Sequence, residues 1–242
     1  MSIVNKTIST FLDILFPKFC IICKRLGSNY FCFKCSQLIE INPNIHCPHH
    51  NCTRVVENGK YCETHSQSHK YLTGILSLSY YRNNEVKELC HYLKYEGLKE
   101  LVNTLEYIDL GKITKQLITK NALIIPVPLW IWKERARGYN QAEIIGEYIS
   151  KVSNIAIATN ILKRIKKTDT QIELDSDLER EKNVENAFAL NIACAMYIRN
   201  KTIYLVDDVM TSGATLSACA KALYADKLNK PKAVYGLVLA KK

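Results

Sequence analysis

Asp207 and Asp208 stand at the end of an apolar run, Ile203-Tyr204-Leu205-Val206, and are followed by Val209-Met210-Thr211-Ser212-Gly213-Ala214-Thr215. Two adjacent carboxylates at a strand end can accept hydrogen bonds from the vicinal hydroxyls of a ribose ring, or face a hydrated Mg²⁺. Thr211, Ser212, Gly213 and Thr215 offer hydroxyls and backbone N–H groups to a phosphate. A helix beginning near Ala214 would add the favourable end of its dipole. Together these residues are those a sugar phosphate needs. The bland alternative is a strand-to-helix turn with a polar tip in any α/β protein.

A second set of residues suits a metal. Seven of the ten cysteines precede residue 63: Cys20, Cys23, Cys32, Cys35, Cys47, Cys52 and Cys62. Cys20-x2-Cys23 and Cys32-x2-Cys35 are knuckles that can close one tetrahedral Zn²⁺ site. Cys47-x2-His50 and Cys62-x2-His65 repeat the spacing with histidine second, and predict another zinc. Cys52 competes with His50, as does His49 for the same knuckle, and spacing alone leaves that choice open. A disulfide scaffold would need an export signal, so metal is the better reading. Four protein ligands leave no open position, so the zinc is expected to be structural. Cys90, Cys194 and Cys219 lie in apolar contexts and read as buried small hydrophobes.

The third set is cationic. Pro126-Val127-Pro128-Leu129 leaves a strand and enters a basic loop with Lys133, Arg135 and Arg137, followed by Gly138-Tyr139-Asn140-Gln141-Ala142-Glu143. Three cations in five residues suit a diphosphate, although a solvated basic loop would look the same. A further basic stretch, Leu162 to Thr168, runs on to Gln171, Arg180, Asn183 and Phe188. It reads as a lid over an anionic site or as an exposed loop.

These residues need elements to hold them. Ile75, Leu76, Leu78 and Tyr80 predict a strand, and Asn83 or Asn84 caps a helix with Val86, Leu89, Cys90 and Leu93 on its apolar face. A helix around 98–119, a strand at 122–127, a helix at 139–152, a strand at 155–159 and a polar helix at 175–187 follow. Strands at 203–206 and 234–239 flank a helix at 214–224. Alternating strands and helices predict an α/β fold with a mostly parallel sheet, helices on both faces, and a ligand site outside the carboxyl ends of the strands. The boundary falls near residue 69, giving 1–69 as an amphipathic helix plus a double zinc ribbon, and 70–242 as the α/β domain.

The chain has 242 residues, 48% apolar and 23% charged, with a formal charge of +10. That composition excludes wholesale disorder, and the charge suits polyanionic partners. Ile3, Val4, Ile8, Phe11, Leu12 and Leu15 recur at helical spacing, which predicts a short amphipathic helix rather than a signal peptide. No stretch reaches the length of a membrane span, and no P-loop pattern occurs. The expected location is cytoplasmic.

The segment around Asp207-Asp208 resembles the 5-phosphoribosyl-1-pyrophosphate (PRPP) signature of type I phosphoribosyltransferases. The Pro-Val-Pro-Leu element, seven residues, then Arg137-Gly138-Tyr139-Asn140-Gln141-Ala142-Glu143 is similar to the ComF family, where phenylalanine usually stands in place of Tyr139. Leu162, Arg164, Thr168, Gln171, Leu174, Arg180, Asn183, Ala187 and Phe188 match a second string of that family, and Leu93-Lys94-Tyr95-Glu96-Gly97 a third. Histidines replace cysteines in the second ribbon, and Ser212 stands where threonine is common.

The resemblance implies a competence-associated protein tied to uptake of DNA, with a type I phosphoribosyltransferase-like domain. Asp207 and Asp208 would then bind the ribose hydroxyls or a Mg²⁺-bound water of PRPP. Thr211, Ser212, Gly213 and Thr215 would hold the 5-phosphate, and Lys133, Arg135 and Arg137 would face pyrophosphate. Expected partners are PRPP, single-stranded DNA and a helicase-like competence protein. The alternative is an active phosphoribosyltransferase moving ribose 5-phosphate to a nitrogenous base in nucleotide salvage. No catalytic residue is assigned, and no base-binding hood is recognisable.

Overall fold

The computed structural model describes residues 17–27, 29–49, 52–56, 62–65, 71–95, 105–107, 115–117, 119–168 and 177–242. The expected N-terminal helix and most of the expected 98–119 helix lie outside these residues. The described helices are α1 (Phe33–Ser36), α2 (Asn84–Tyr95), α3 (Ile131–Arg137), α4 (Gln141–Ser153), α5 (Asp177–Val184) and α6 (Ala214–Leu223). The strands are β1 (Ile45–His46), β2 (Gly74–Tyr80), β3 (Ala122–Pro126), β4 (Leu162–Arg164), β5 (Phe188–Leu190), β6 (Thr202–Met210) and β7 (Ala233–Lys241).

Buried strands of near-continuous apolar character favour parallel pairing covered on both sides. The sheet order is β1-β2-β7-β6-β3, with β2, β7, β6 and β3 parallel and β1 antiparallel at the edge. The fold is therefore α/β around a mostly parallel sheet. Alternate residues of β6 feed two cores, as the period of two requires. Tyr204 and Val206 join Val86, Leu89 and Leu93 of α2 and Ile145 of α4 on one face. Ile203 and Leu205 join Leu216, Cys219 and Leu223 of α6 on the other.

Local signals explain the helix ends. Asn83 Oδ1 accepts from Val86 N at 3.1 Å and starts α2. Asn140 does the same for Ala142 N at 3.1 Å, and α4 ends on Asn154 in the left-handed region. Three expectations change. Residues 155–159 form only a bridge at Ile157, where Ile124 N donates to Ala156 O and Ile124 O accepts from Ala158 N. The next position on that edge is Pro126, which has no N–H to continue a ladder. The start of the 162–168 stretch is β4, paired antiparallel with β5, while Gln171 and Leu174 lie outside the described residues. The strand before the acid pair does not stop at Val206 but runs through it to Met210.

Candidate functional site

Because β6 continues through the acid pair, Asp207 and Asp208 leave the strand on opposite faces. Asp208 is buried on the α2 side, where Lys94 Nζ approaches its Oδ2 at 3.1 Å. Its Oδ1 also accepts from Val209 N at 2.7 Å. Asp207 is half-buried on the other side, within electrostatic reach of Arg164 on β4, and its Oδ1 accepts from Asp208 N at 2.9 Å. Burial, and then the Asp208 charge, push the Asp207 carboxyl up to about 7. The pair is not a symmetric clasp. Asp208 is already neutralised by Lys94, while Asp207 is the carboxylate that a bound cation would relieve.

The strand empties into Thr211-Ser212-Gly213, and α6 starts at Ala214. Gly213 has φ +80° and supplies no side-chain cap, so the helix N-terminus is left to a ligand or to neighbours. Ser212 Oγ takes Ala214 N at 3.4 Å. A Cβ at Gly213 would sit 2.7 Å from Met210 Cε and 3.4 Å from Pro48 O, so glycine is required by both conformation and space. Thr211 and Thr215 flank this turn.

The expected basic loop is a helix. No glycine or proline interrupts Ile131–Arg137, and Gly138 (φ +79°) ends it. Lys133 and Arg137 therefore share one face, four residues apart. Arg135 points elsewhere, with its guanidinium 5.4 Å from the centre of the Trp132 ring. The three cations do not converge. The residues after Gly138 instead tie elements together. Arg137 Nη1 donates to Gln141 Oε1 at 3.0 Å. Gln141 Nε2 (3.2 Å) and Tyr139 Oη (2.6 Å) both donate to Leu93 O, next to Lys94. Asn140 Nδ2 donates to Val127 O at 3.0 Å beyond β3. This element thus holds the end of α2 that delivers Lys94 to Asp208.

The cysteines gather into two groups. Cys20, Cys23, Cys32 and Cys35 place their sulfurs within 4.8 Å of one another, as do Cys47, Cys52 and Cys62 with a ring nitrogen of His65. The edge of a tetrahedral zinc site is about 3.8 Å between sulfurs and about 3.6 Å between sulfur and nitrogen. Cys23 Sγ and Cys32 Sγ are 3.8 Å apart, and His65 Nδ1 is 3.6 Å from both Cys47 and Cys62. Both donor sets fit structural zinc, which four such ligands would close to water. In the second group the fourth donor is Cys52, and His50 lies outside the described residues. His49 stacks on the His65 ring at 4.2 Å instead.

Sequence reasoning missed Lys94 and Lys241. Lys94 sits in a matched string, but nothing in that string says what it faces. Lys241 closes β7, is 3% exposed, and sends Nζ into the second knuckle, where it donates to the carbonyls of Cys52 (2.7 Å), Cys47 (3.2 Å) and His49 (3.4 Å). Burial lowers its affinity for a proton, and the nearby sulfurs of Cys47 and Cys52 raise it. A lysine at the end of an apolar strand carries no signal for such a role. The knuckle it holds presents Pro48 O to Gly213, so the second cysteine group forms a wall of the Gly213 turn.

No family model matches the chain. Among curated proteins, it is 40% identical over 113 residues to "Competence protein F" of Haemophilus influenzae, covering 47% of this chain and 48% of that protein. It is 30% identical over 145 residues to "Competence protein ComFC" of Bacillus subtilis, covering 60% and 55%. "DNA utilization protein YhgH" of Escherichia coli K12 is 28% identical over 139 residues, covering 56% and 59%. This chain is similar to competence and DNA-utilization proteins. It spans about half the length of the curated relatives it matches. Among the described residues, no helix is long and apolar enough to cross a membrane.

Proposed function

We propose that this chain is a ComF-family protein of DNA uptake whose pocket holds PRPP with Mg²⁺, and which handles single-stranded DNA in the cytoplasm. One observation carries the pocket: β6 delivers Asp207 and Asp208 into a glycine turn at the start of α6, with Lys94 in an ion pair with Asp208. In this reading Asp207 and Asp208 face the ribose hydroxyls or the hydrated cation. Thr211, Ser212, Gly213 and Thr215 take the 5-phosphate, and Lys133 and Arg137 stand toward pyrophosphate with Arg135 behind them. A bound Mg²⁺ would screen the diphosphate charge. The raised Asp207 carboxyl fits a site that gains a cation with its ligand. Residues 1–69 act as a zinc-held appendage to the domain of 70–242, and are where a helicase-like partner would dock. The relatives' names supply the DNA-uptake context.

The test is calorimetry with PRPP and Mg²⁺ on the wild type and on Asp207→Ala/Asp208→Ala. Heat with the wild type alone supports the pocket, and equal heats from both would sink it. A screen of bases scored by pyrophosphate release then separates holding PRPP from transferring its ribose. Single-stranded DNA binding that weakens steeply with salt supports the second half of the reading.

A further inference from the structure

We propose that a cavity at the carboxyl ends of β2 and β7, two strands across the sheet from the end of β6, is a binding site for single-stranded nucleic acid. The proposal deepens the DNA-handling reading and rests on it. The cavity holds about 510 Å³, the size of a nucleotide-scale ligand. Its walls combine the rings of Tyr80 and Tyr81 with Arg82, Lys87 and Lys242. No carboxylate side chain lines it among the described residues, although Glu85 and Glu88 stand on the same helix as Lys87. Arg82 and Lys87 are both exposed, and the Arg82 guanidinium lies 4.9 Å from the centre of the Tyr80 ring.

This is the pairing that single strands use: cations for the backbone and ring faces for unstacked bases. A duplex offers no free base face, so stacking walls favour a single strand over a duplex. Lys241 also borders the cavity, but its Nζ is committed to the carbonyls of the second knuckle and acts as a post rather than a contact. Arg82 and Lys87 carry the electrostatic work. Lys87 and Lys94 are seven residues apart on α2, about 10 Å along its axis, so the cavity and the Asp208 pair occupy different ends of one helix. The two sites can therefore be broken separately.

The experiment measures anisotropy of a labelled thymidine oligomer with the full chain over a series of salt concentrations. The wild type is expected to bind the single strand more tightly than a duplex of equal length. Arg82→Glu/Lys87→Glu is expected to weaken single-strand binding at least 10-fold and to lower the salt slope by about 1.4, the value for two lost phosphate contacts. Tyr81→Ala is expected to weaken it about 5-fold or more, with Tyr81→Phe near wild type. Heats with PRPP and Mg²⁺ should be unchanged in all of these variants. Independently of any variant, photocrosslinking with a 4-thiothymidine oligomer should label the peptide that contains residues 80–87.

Single-strand binding that survives the double variant, with no label on 80–87, overturns this site and leaves the DNA-handling reading standing. Equal affinity for duplex overturns the stacking role. Displacement of the oligomer by millimolar inorganic phosphate or thymidine monophosphate makes the cavity a small-anion site and overturns the strand. No wild-type binding at low salt removes the DNA-handling reading and this site with it.

Discussion

The first cysteine group sends Cys20 and Cys35 into the main core beside Ile21, Phe31 and Ile39, whereas the second, among the described residues, buries Val56 with its own cysteines and Ile45 at its edge. The first is also laid against α2 from outside, with Lys24 Nζ 3.4 Å from Tyr92 Oη. The second is pinned from within by Lys241 and presses Pro48 O on the Gly213 turn. One appendage is thus fastened by apolar burial, which does not depend on position to fractions of an ångström. The other is fastened by coordination and directional hydrogen bonds, which do. The difference assigns the first group to stability and the second to the shape of the Gly213 turn.

Removing one ligand from each group tests this most severely. Cys62→Ser is expected to leave one zinc per chain instead of two and, on the proposed PRPP reading, to weaken Mg·PRPP binding about 10-fold or more, because the wall at Pro48 moves with the knuckle. Cys23→Ser should also lose one zinc, yet keep PRPP affinity within about 2-fold, since the wall at Pro48 belongs to the other group. Zinc analysis and calorimetry on both variants read the outcome. Equal losses of PRPP affinity would erase the distinction between the two groups.

The lysines give the next contrast. Lys241→Met strands three carbonyls in a buried setting and is expected to cost about 2–4 kcal/mol in denaturant unfolding. Lys24→Met removes an exposed contact and should change stability by less than about 0.5 kcal/mol. If the two substitutions prove alike, the second knuckle is not held by its lysine.

The acid pair beside the second group adds a pH signature of its own. A carboxyl whose pKa is raised in the folded state favours folding when protonated. Stability therefore declines as pH climbs from the ordinary carboxylate range near 3.8 toward about 7 and levels off above it. Asp207→Asn removes that penalty. It is expected to raise stability by about 1–3 kcal/mol at pH 8, with the gain fading as the pH approaches 4. Melting curves across this range decide it, and a gain independent of pH would deny that Asp207 is the strained group. On the proposed PRPP reading the same variant should lose the ligand, so stability and ligand affinity would move in opposite directions.

What could be read from residue types was the chemistry of each part; what could not was the direction in which it points. The apolar run at 203–206 announces β6 and the cap at Asn83 or Asn84 announces α2, whereas Asn140, which caps α4, falls inside the helix expected at 139–152; the first four-cysteine site follows from its two knuckles. The acid pair was legible as a pair, but its split across two faces follows from β6 running to Met210, set by pairing with β7 up to Lys241. The basic run at 133–137 has equal charge density as loop or helix, and only the helix separates Arg135 from the other two. Lys94 and Lys241 act across 114 and roughly 190 positions of sequence, beyond the reach of any local pattern.

The smallest expected effect concerns the choice of fourth ligand in the second group. The Cys-x2-His spacing favours His50, whereas the donor atoms that gather are Cys47, Cys52, Cys62 and His65. A turn explains the longer step: Cys52 N donates to His49 O at 3.1 Å and Cys47 N to Arg54 O at 2.9 Å, which brings the two sulfurs to one side. A thiolate also binds Zn²⁺ more willingly than a second imidazole in an already sulfur-rich shell. His50→Ala should therefore keep two zincs per chain and shift the melting temperature by no more than about 2 °C, while Cys52→Ser should lose one zinc. Substituting cobalt for zinc sharpens the reading, because each thiolate adds to the charge-transfer absorption. Three thiolates in the second site require that band to fall in Cys52→Ser and to stay unchanged in His50→Ala. The opposite pattern would return the fourth place to His50 and, with it, move Pro48 away from the wall of the Gly213 turn.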